Sequence, residues 1–178
     1  MSLLVSILTF ACLGKEALSE EPLKFDRIDL KILQSLQKQG RITNQNLAEL
    51  VNLSPSSCLH RVRRLEEANI IQSYQANLKL SSLCRSITCI ATVTLSNHTQ
   101  EDFHAFEKLT LSIPEVIESQ TVSGGFDFFL KVVAGDMASY LELTNQLIQG
   151  MSCGVNINTH VVMKEIKPFH GYPIERLV

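Results

Sequence analysis

The densest chemistry in this 178-residue chain lies between Ser54 and Glu66, where Arg61, Arg63 and Arg64 crowd into four positions beside His60. A guanidinium keeps its charge at any physiological pH and presents its N–H donors as a planar fork. That shape matches phosphate oxygens and the acceptor edge of guanine. To be useful, the arginines must stand on a surface. The local sequence predicts a helix for this, with Ser54 suited to the N-cap and Pro55 to the first helical position, where its missing N–H costs nothing. On 3.6-residue spacing, Cys58, Leu59, Val62 and Leu65 are expected to form the apolar stripe. Ser57, His60, Arg61 and Arg64 are expected opposite, with Arg63 at the edge. Such a helix can pack by one face and enter a DNA groove with the other. The plain alternative is a solvated face that happens to carry arginines.

The elements around it strengthen the first reading. Residues 43 to 51 (Thr-Asn-Gln-Asn-Leu-Ala-Glu-Leu-Val) form a second short amphipathic segment, and Asn52-Leu53 supplies a turn, which is the helix-turn-helix plan. Upstream, residues 26 to 39 place Ile28, Ile32, Leu33 and Leu36 on one side, with Asp26 as N-cap, Asp29 three residues later and Gly40 as the stop. Three helices would then share one small core. Asn69 can end the arginine helix in a left-handed conformation, and residues 70 to 76 alternate like a strand, a natural wing or linker.

Charge divides the chain. Its formal net charge is −2 with a pI near 6.2. Yet residues 24 to 75 hold eight Lys/Arg against five Asp/Glu, whereas residues 76 to 178 hold seven against ten. A basic module joined to an acidic one suits a DNA-binding domain attached to a domain with another task. The 45% hydrophobic content is enough for two real cores.

Five cysteines, Cys12, Cys58, Cys84, Cys89 and Cys153, are scattered without a C-x-x-C pair or a histidine at zinc spacing. They read as reduced thiols of a cytoplasmic protein, and neither metal nor cofactor is expected. Cys58 is assigned to core packing. The apolar run from Leu3 to Gly14 is too short to span a bilayer, and it lacks the positive start and cleavage site of a secretory signal. No membrane association is expected. Residues 1–23 are read as an extension, either an upstream mis-called start or a segment that is disordered or helical against a partner subunit.

Beyond residue 86 the pattern changes. Ser86 to Leu95 reads as a strand and Thr99 to Leu111 as a helix with Phe103, Phe106 and Leu109 inward. Pro114 to Val122 and Phe126 to Ala134 read as strands joined by Ser123-Gly124-Gly125, whose glycines tolerate positive φ. Asp136 can cap a helix through Gln149 with Tyr140, Leu143 and Leu147 inward, and Val155 to Met163 closes as a strand. The order βαββαβ is the ferredoxin-like arrangement, a sheet with one face covered by two helices and one left open. An open face with apolar residues is expected to be buried by a second subunit, giving at least a dimer.

The expected fold class is therefore α+β, a winged helix-turn-helix followed by a ferredoxin-like βαββαβ domain. At this point the chain resembles the Lrp/AsnC (feast/famine) family of transcriptional regulators. The resemblance rests on residues 26–29 (DRID), 40–44 (GRITN), 53–55 (LSP), 58–59 (CL), 61–66 (RVRRLE), 122–124 (VSG), 126–127 (FD) and 161–163 (VVM). These fit the leucine-responsive branch especially well, and their order runs from residue 24 to about 168. The resemblance implies a helix-turn-helix domain over 24–75, a linker over 76–85, an effector-binding and oligomerisation (RAM) domain over 86–168, and a tail over 169–178.

It also implies sites. The arginine helix becomes the recognition helix for double-stranded DNA, with Thr43, Asn44, Ser54, Ser56, Ser57, His60, Arg61, Arg63 and Arg64 as candidate contacts. A small effector, usually an amino acid, is expected at the loop Ser123, Gly124, Gly125, Phe126 and Asp127, with Met137, His160, Val161 and Val162 as neighbours. Backbone N–H groups around the glycines could hold a carboxylate and Asp127 could meet an ammonium. The plain alternative is a glycine turn in which Asp127 satisfies local backbone groups. Gly125 stands where the family often carries an acidic residue, and His160 where leucine-responsive members often carry Tyr. The resemblance also implies a homodimer through the RAM sheets that can assemble further into an octamer. Two rival readings use the same scaffold: a siroheme-decarboxylase-like enzyme, revealed by visible absorbance, and a low-specificity architectural protein that coats or bends DNA.

Overall fold

A computed structural model describes residues 25–178, so the reading of residues 1–23 lies outside the described residues. The chain forms two compact units. One runs to Leu78 and includes Lys167–Val178; the other is Lys79–Ile166.

In the first unit, α1 (Arg27–Lys38) begins in a capping box. Asp26 accepts hydrogen bonds from the backbone N–H groups of Ile28 and Asp29, and the Asp29 carboxylate accepts from the Asp26 N–H in return. Thr43 caps α2 (Asn44–Leu50), and Ser54 caps α3 (Pro55–Glu67) with Pro55 in its first turn. Asn52 and Asn69 both adopt φ of 55°, turning the chain out of α2 and α3. The core is Ile32, Leu47, Ala48, Val51, Cys58 and Leu65, with Ile28, Leu33, Leu36 and Val62 packed against it. Burial pushes the Cys58 thiol pKa up, in keeping with its place in this core.

The alternation at residues 70–76 does not become a strand. A strand needs a ladder partner, and the described residues of this unit supply no other strand. Ile71 packs against the core, and the Tyr74 hydroxyl donates to Glu66 at 2.9 Å. The residues expected as a tail belong to this unit: the Gln37 side chain accepts from the Tyr172 N–H at 2.6 Å and donates to the Tyr172 carbonyl at 3.3 Å. Gly171 makes that approach possible. Its φ is +111°, and a Cβ there would lie 2.6 Å from the Gln37 Oε1. The last helical turn of the chain, α6 in chain order (Ile174–Leu177), follows.

In the second unit, β1 (Ile87–Leu95), α4 (Gln100–Leu111), β2 (Val116–Thr121), β3 (Phe128–Ala134), α5 (Met137–Gln149) and β4 (Val155–Val161) follow in order. The sheet order is β2-β3-β1-β4, and every pair is antiparallel. Cys89, Ala91, Val93 and Leu95 of β1 and Phe128, Leu130, Val132 and Ala134 of β3 point to the core, as their strict alternation requires. There they meet Phe106, Tyr140, Leu143 and Leu147 from the two helices. Phe103 and Phe106 pack on Phe128 with ring centroids 5.2 and 4.6 Å away. The opposite sheet face is mixed rather than apolar: Ile90, Phe129 and Val133 lie among Thr88, Thr92, Thr94, Lys131, Asn156, Asn158 and His160. Among the described residues no helix is long and apolar enough to cross a membrane.

Candidate nucleic-acid interface and effector loop

The face that α3 presents differs from the expected one by a rotation. Cys58 and Leu65 are fully buried, but Leu59 is 39% exposed, so it does not belong to the apolar stripe. The stripe is centred on Cys58, Val62 and Leu65, which places Arg61 on its shoulder rather than opposite it. The outward face carries Ser56, Ser57, Leu59, His60 and Arg63.

Arg61 and Arg64 turn back toward the start of α1. The Arg61 Nη1 donates to Asp26 Oδ2 at 2.6 Å and to Asp29 Oδ1 at 2.9 Å, while the Arg64 Nη2 donates to Asp29 Oδ2 at 2.6 Å. The Asp29 side chain is only 1% exposed. A carboxylate so buried must be matched by positive charge, and the two arginines supply it. Hydrogen bonds from the Asp29 N–H and from Arg61 hold the Asp26 pKa below its usual value, and bonds to Asp26 and Asp29 raise that of Arg61. Sequence reasoning saw Asp26 and Asp29 as helix caps only. Their ionic partners are 32 to 35 residues away, and no local spacing signals them.

The remaining candidates divide by job. Thr43 and Ser54 are occupied as N-caps, and the Asn44 side chain donates to the Pro55 carbonyl at 2.8 Å, bracing α2 against α3. Ser54 also bonds the hydroxyls of Ser56 and Ser57. His60 and Arg63 are exposed, with no intramolecular partner among the described residues.

At the loop in the second unit, Ser123, Gly124 and Gly125 are exposed, and Gly124 has φ of +144° with open space where a Cβ would stand. Asp127 is committed locally. Its N–H donates to the Val93 carbonyl at 2.8 Å and its own carbonyl accepts from the Val122 N–H at 2.9 Å. One carboxylate oxygen accepts from the Leu95 N–H at 2.8 Å, and the other lies 3.2 Å from His98 Nε2. The side chain is 14% exposed. Both oxygens therefore serve to tie the hairpin to the end of β1.

The expected neighbours of this loop are not beside it. His160 pairs with Ile90 and Val161 with Cys89, and the Val162 N–H donates to the Thr88 carbonyl, all toward the start of β1. Met137 follows Ala134, which pairs with Ile87 at that same end. The loop joins the other end of β1 at Val93 and Leu95, five residues or roughly 17 Å along the strand. Within one chain the effector candidates thus form two groups at opposite ends of the sheet. The first contains Ser123 to Asp127; the second contains Met137, His160, Val161 and Val162.

Comparison with known proteins matches both units. Residues 25–72 match a family described as winged helix-turn-helix DNA-binding, and residues 88–171 match the Lrp/AsnC ligand binding domain. A leucine-responsive regulatory protein from Klebsiella pneumoniae is 41% identical over 143 residues, covering 80% of this chain and 87% of that protein. A transcriptional regulator from Neisseria meningitidis, solved in complex with L-Met, superposes with a TM-score of 0.79 at 30% identity, covering 87% of this chain and all of that one. An AsnC family transcriptional regulator from Agrobacterium tumefaciens gives 0.79 at 27% identity over 86% of this chain.

Proposed function

Because the chain belongs to the Lrp/AsnC family of DNA-binding transcriptional regulators, we propose that the outward face of α3 reads its DNA sites and that an amino acid bound at the Gly124 loop tunes the reading. The observation that carries the first part is the exposure of His60 and Arg63 beside Ser56 and Ser57, on the helix whose other face closes the core. Arg63 supplies an unspent charge and a bidentate fork for a phosphate or a guanine; His60 and the serine hydroxyls supply shorter-range donors. Thr43, Ser54 and Asn44 hold the two helices in register for that contact.

For the effector, the exposed Gly124-Gly125 backbone offers N–H groups to a carboxylate, with no side chain in the way. Asp127 acts by shaping this loop rather than by meeting the ligand. The second group, Met137 with His160 to Val162, reaches the ligand from another copy of the chain, since one chain holds the two groups apart. This reading makes the protein a homo-oligomer, a dimer through the open sheet face and larger assemblies through the ends of the sheet. The exposed stripe Met137, Leu141 and Ile148 on α5 supports it, because these residues stand 44, 55 and 43% exposed on one side of the helix. L-Met in the Neisseria regulator supports an amino acid as the ligand class.

A thermal-shift screen of the full-length protein against the twenty amino acids tests the ligand. At least one should raise the melting temperature and change the sedimentation profile, and Gly124→Val should abolish both responses while DNA binding persists. A parent protein indifferent to every amino acid would leave the DNA-binding reading without its effector.

A further inference from the structure

α3 carries three arginines but presents one free charge. Arg61 ends on Asp26 and Asp29, and Arg64 ends on Asp29, so the two aspartates at the start of α1 offset two of the three guanidinium charges. The pairing is not a loose surface contact. Asp29 is 1% exposed, its second role in the capping box fixes its rotamer, and the Arg64 Nε is itself buried. Arg61 and Arg64 remain 26 and 40% exposed, close enough to solvent to reach a phosphate if they were released.

That arrangement matters for a protein that must find one DNA site among many. Attraction to the phosphate backbone is independent of sequence, and each phosphate neutralised by a protein cation steepens the salt dependence of binding by close to one unit. Two additional mobile arginines would strengthen binding everywhere and so dilute discrimination. We propose that Asp29, assisted by Asp26, is a specificity-determining residue: it withholds Arg61 and Arg64 from DNA phosphates and leaves Arg63 and its polar neighbours to decide the site. Asp29 acts here as a positioning residue through the two arginines. The inference rests on α3 being the DNA-reading helix, which Arg63→Ala examines separately.

The experiment measures binding of the full-length parent, Asp29→Asn and Asp26→Asn to two duplexes across a range of salt. One duplex is enriched by the parent from a random pool, and the other is its scrambled counterpart. Asn keeps the shape of Asp, and at the Asp26 N-cap it caps about as well; at Asp29 it keeps one acceptor oxygen and replaces the other with a donor. For Asp29→Asn, affinity for scrambled DNA should rise by about tenfold, affinity for the enriched duplex by less, and the salt slope should steepen by about one to two units. Asp26→Asn should show the same changes at about half the size or less, because it removes one of the two carboxylates that hold Arg61 and leaves Arg64 paired. A purely structural role moves neither the slope nor the ratio of the two affinities. A folded Asp29→Asn with the parent's slope and ratio overturns the proposal. If Asp29→Asn does not fold, Asp26→Asn decides, and an unchanged slope there is equally fatal. An Arg63→Ala variant that binds both duplexes as the parent does would instead refute the assignment of α3, whatever the aspartate variants show.

Discussion

The two units hold their working surfaces in different ways. In the DNA-binding unit a small apolar core is completed by an ionic cluster, Asp26 and Asp29 against Arg61 and Arg64, which joins the start of α1 to α3. In the ligand-binding unit the sheet ladder and the packed rings of Phe103, Phe106 and Phe128 do the holding, and the half-buried Asp127 is shared between the Leu95 N–H and His98. Charge thus carries part of the fold in the first unit, where it ties two helices together, whereas in the second a half-buried carboxylate braces a single loop.

The sharpest contrast lies in the cores. Phe106→Ala removes a fully buried ring from the second unit and should cost about 3–5 kcal/mol, read as loss of that unit's transition in chemical denaturation while the first unit's transition stays in place. A single shared transition, shifted as a whole, would show that the two units do not melt independently.

Asp29→Ala should destabilise the first unit by about 2 kcal/mol. That is below the figure for breaking a fully buried pair, because the abandoned arginines are partly exposed and can turn to water. Acid should mimic part of this. The Asp26 pKa is depressed in the folded state, so its contribution is complete above the unfolded value of 3.8 and is lost as pH falls below that through the folded value. Raised salt at neutral pH should weaken the first unit more than the second, as two-unit melting curves would reveal.

Asp127→Asn keeps an acceptor for the Leu95 N–H but weakens the contact with His98, and should lower the stability of the second unit by about 1 kcal/mol. Its effector response should weaken without disappearing, because Asp127 shapes the loop. Complete loss of ligand binding in a variant of unaltered stability would restore the direct ammonium contact. The smallest effect is expected at Tyr74, half exposed and bonded to Glu66: Tyr74→Phe should change stability by less than about 0.5 kcal/mol. In the parent, burial and the Glu66 carboxylate push the Tyr74 pKa up to about 12, which ultraviolet titration can follow.

What the sequence disclosed follows the range of the interactions involved. Helix starts at Asp26, Thr43 and Ser54-Pro55, the left-handed exit at Asn69 and the alternating strands of the second unit are set by neighbours within a few residues, and all were legible. The strand expected over 70–76 failed because alternation cannot create a ladder partner. Arg61 stands on the shoulder of the apolar stripe rather than opposite it because Leu59 lies outside that stripe, and the turn of Arg61 and Arg64 back toward α1 answers to a buried carboxylate on another helix, which no local spacing signals. The separation of His160 from the Gly124 loop follows from the β1–β4 register, a property of the assembled sheet rather than of either segment.

The division of labour along α3 is the central claim, and paired measurements on Arg63→Ala and Arg61→Ala test it most directly. For each full-length variant, the thermal stability of the first unit and the affinity for enriched DNA are measured together. Arg63→Ala should melt like the parent but bind DNA about tenfold or more weakly, with a salt slope shallower by about one unit. Arg61→Ala should lose about 1–2 kcal/mol of stability with little change in salt slope. The reverse pattern, a stable Arg61→Ala that has lost DNA binding beside an Arg63→Ala that binds normally, would contradict the account.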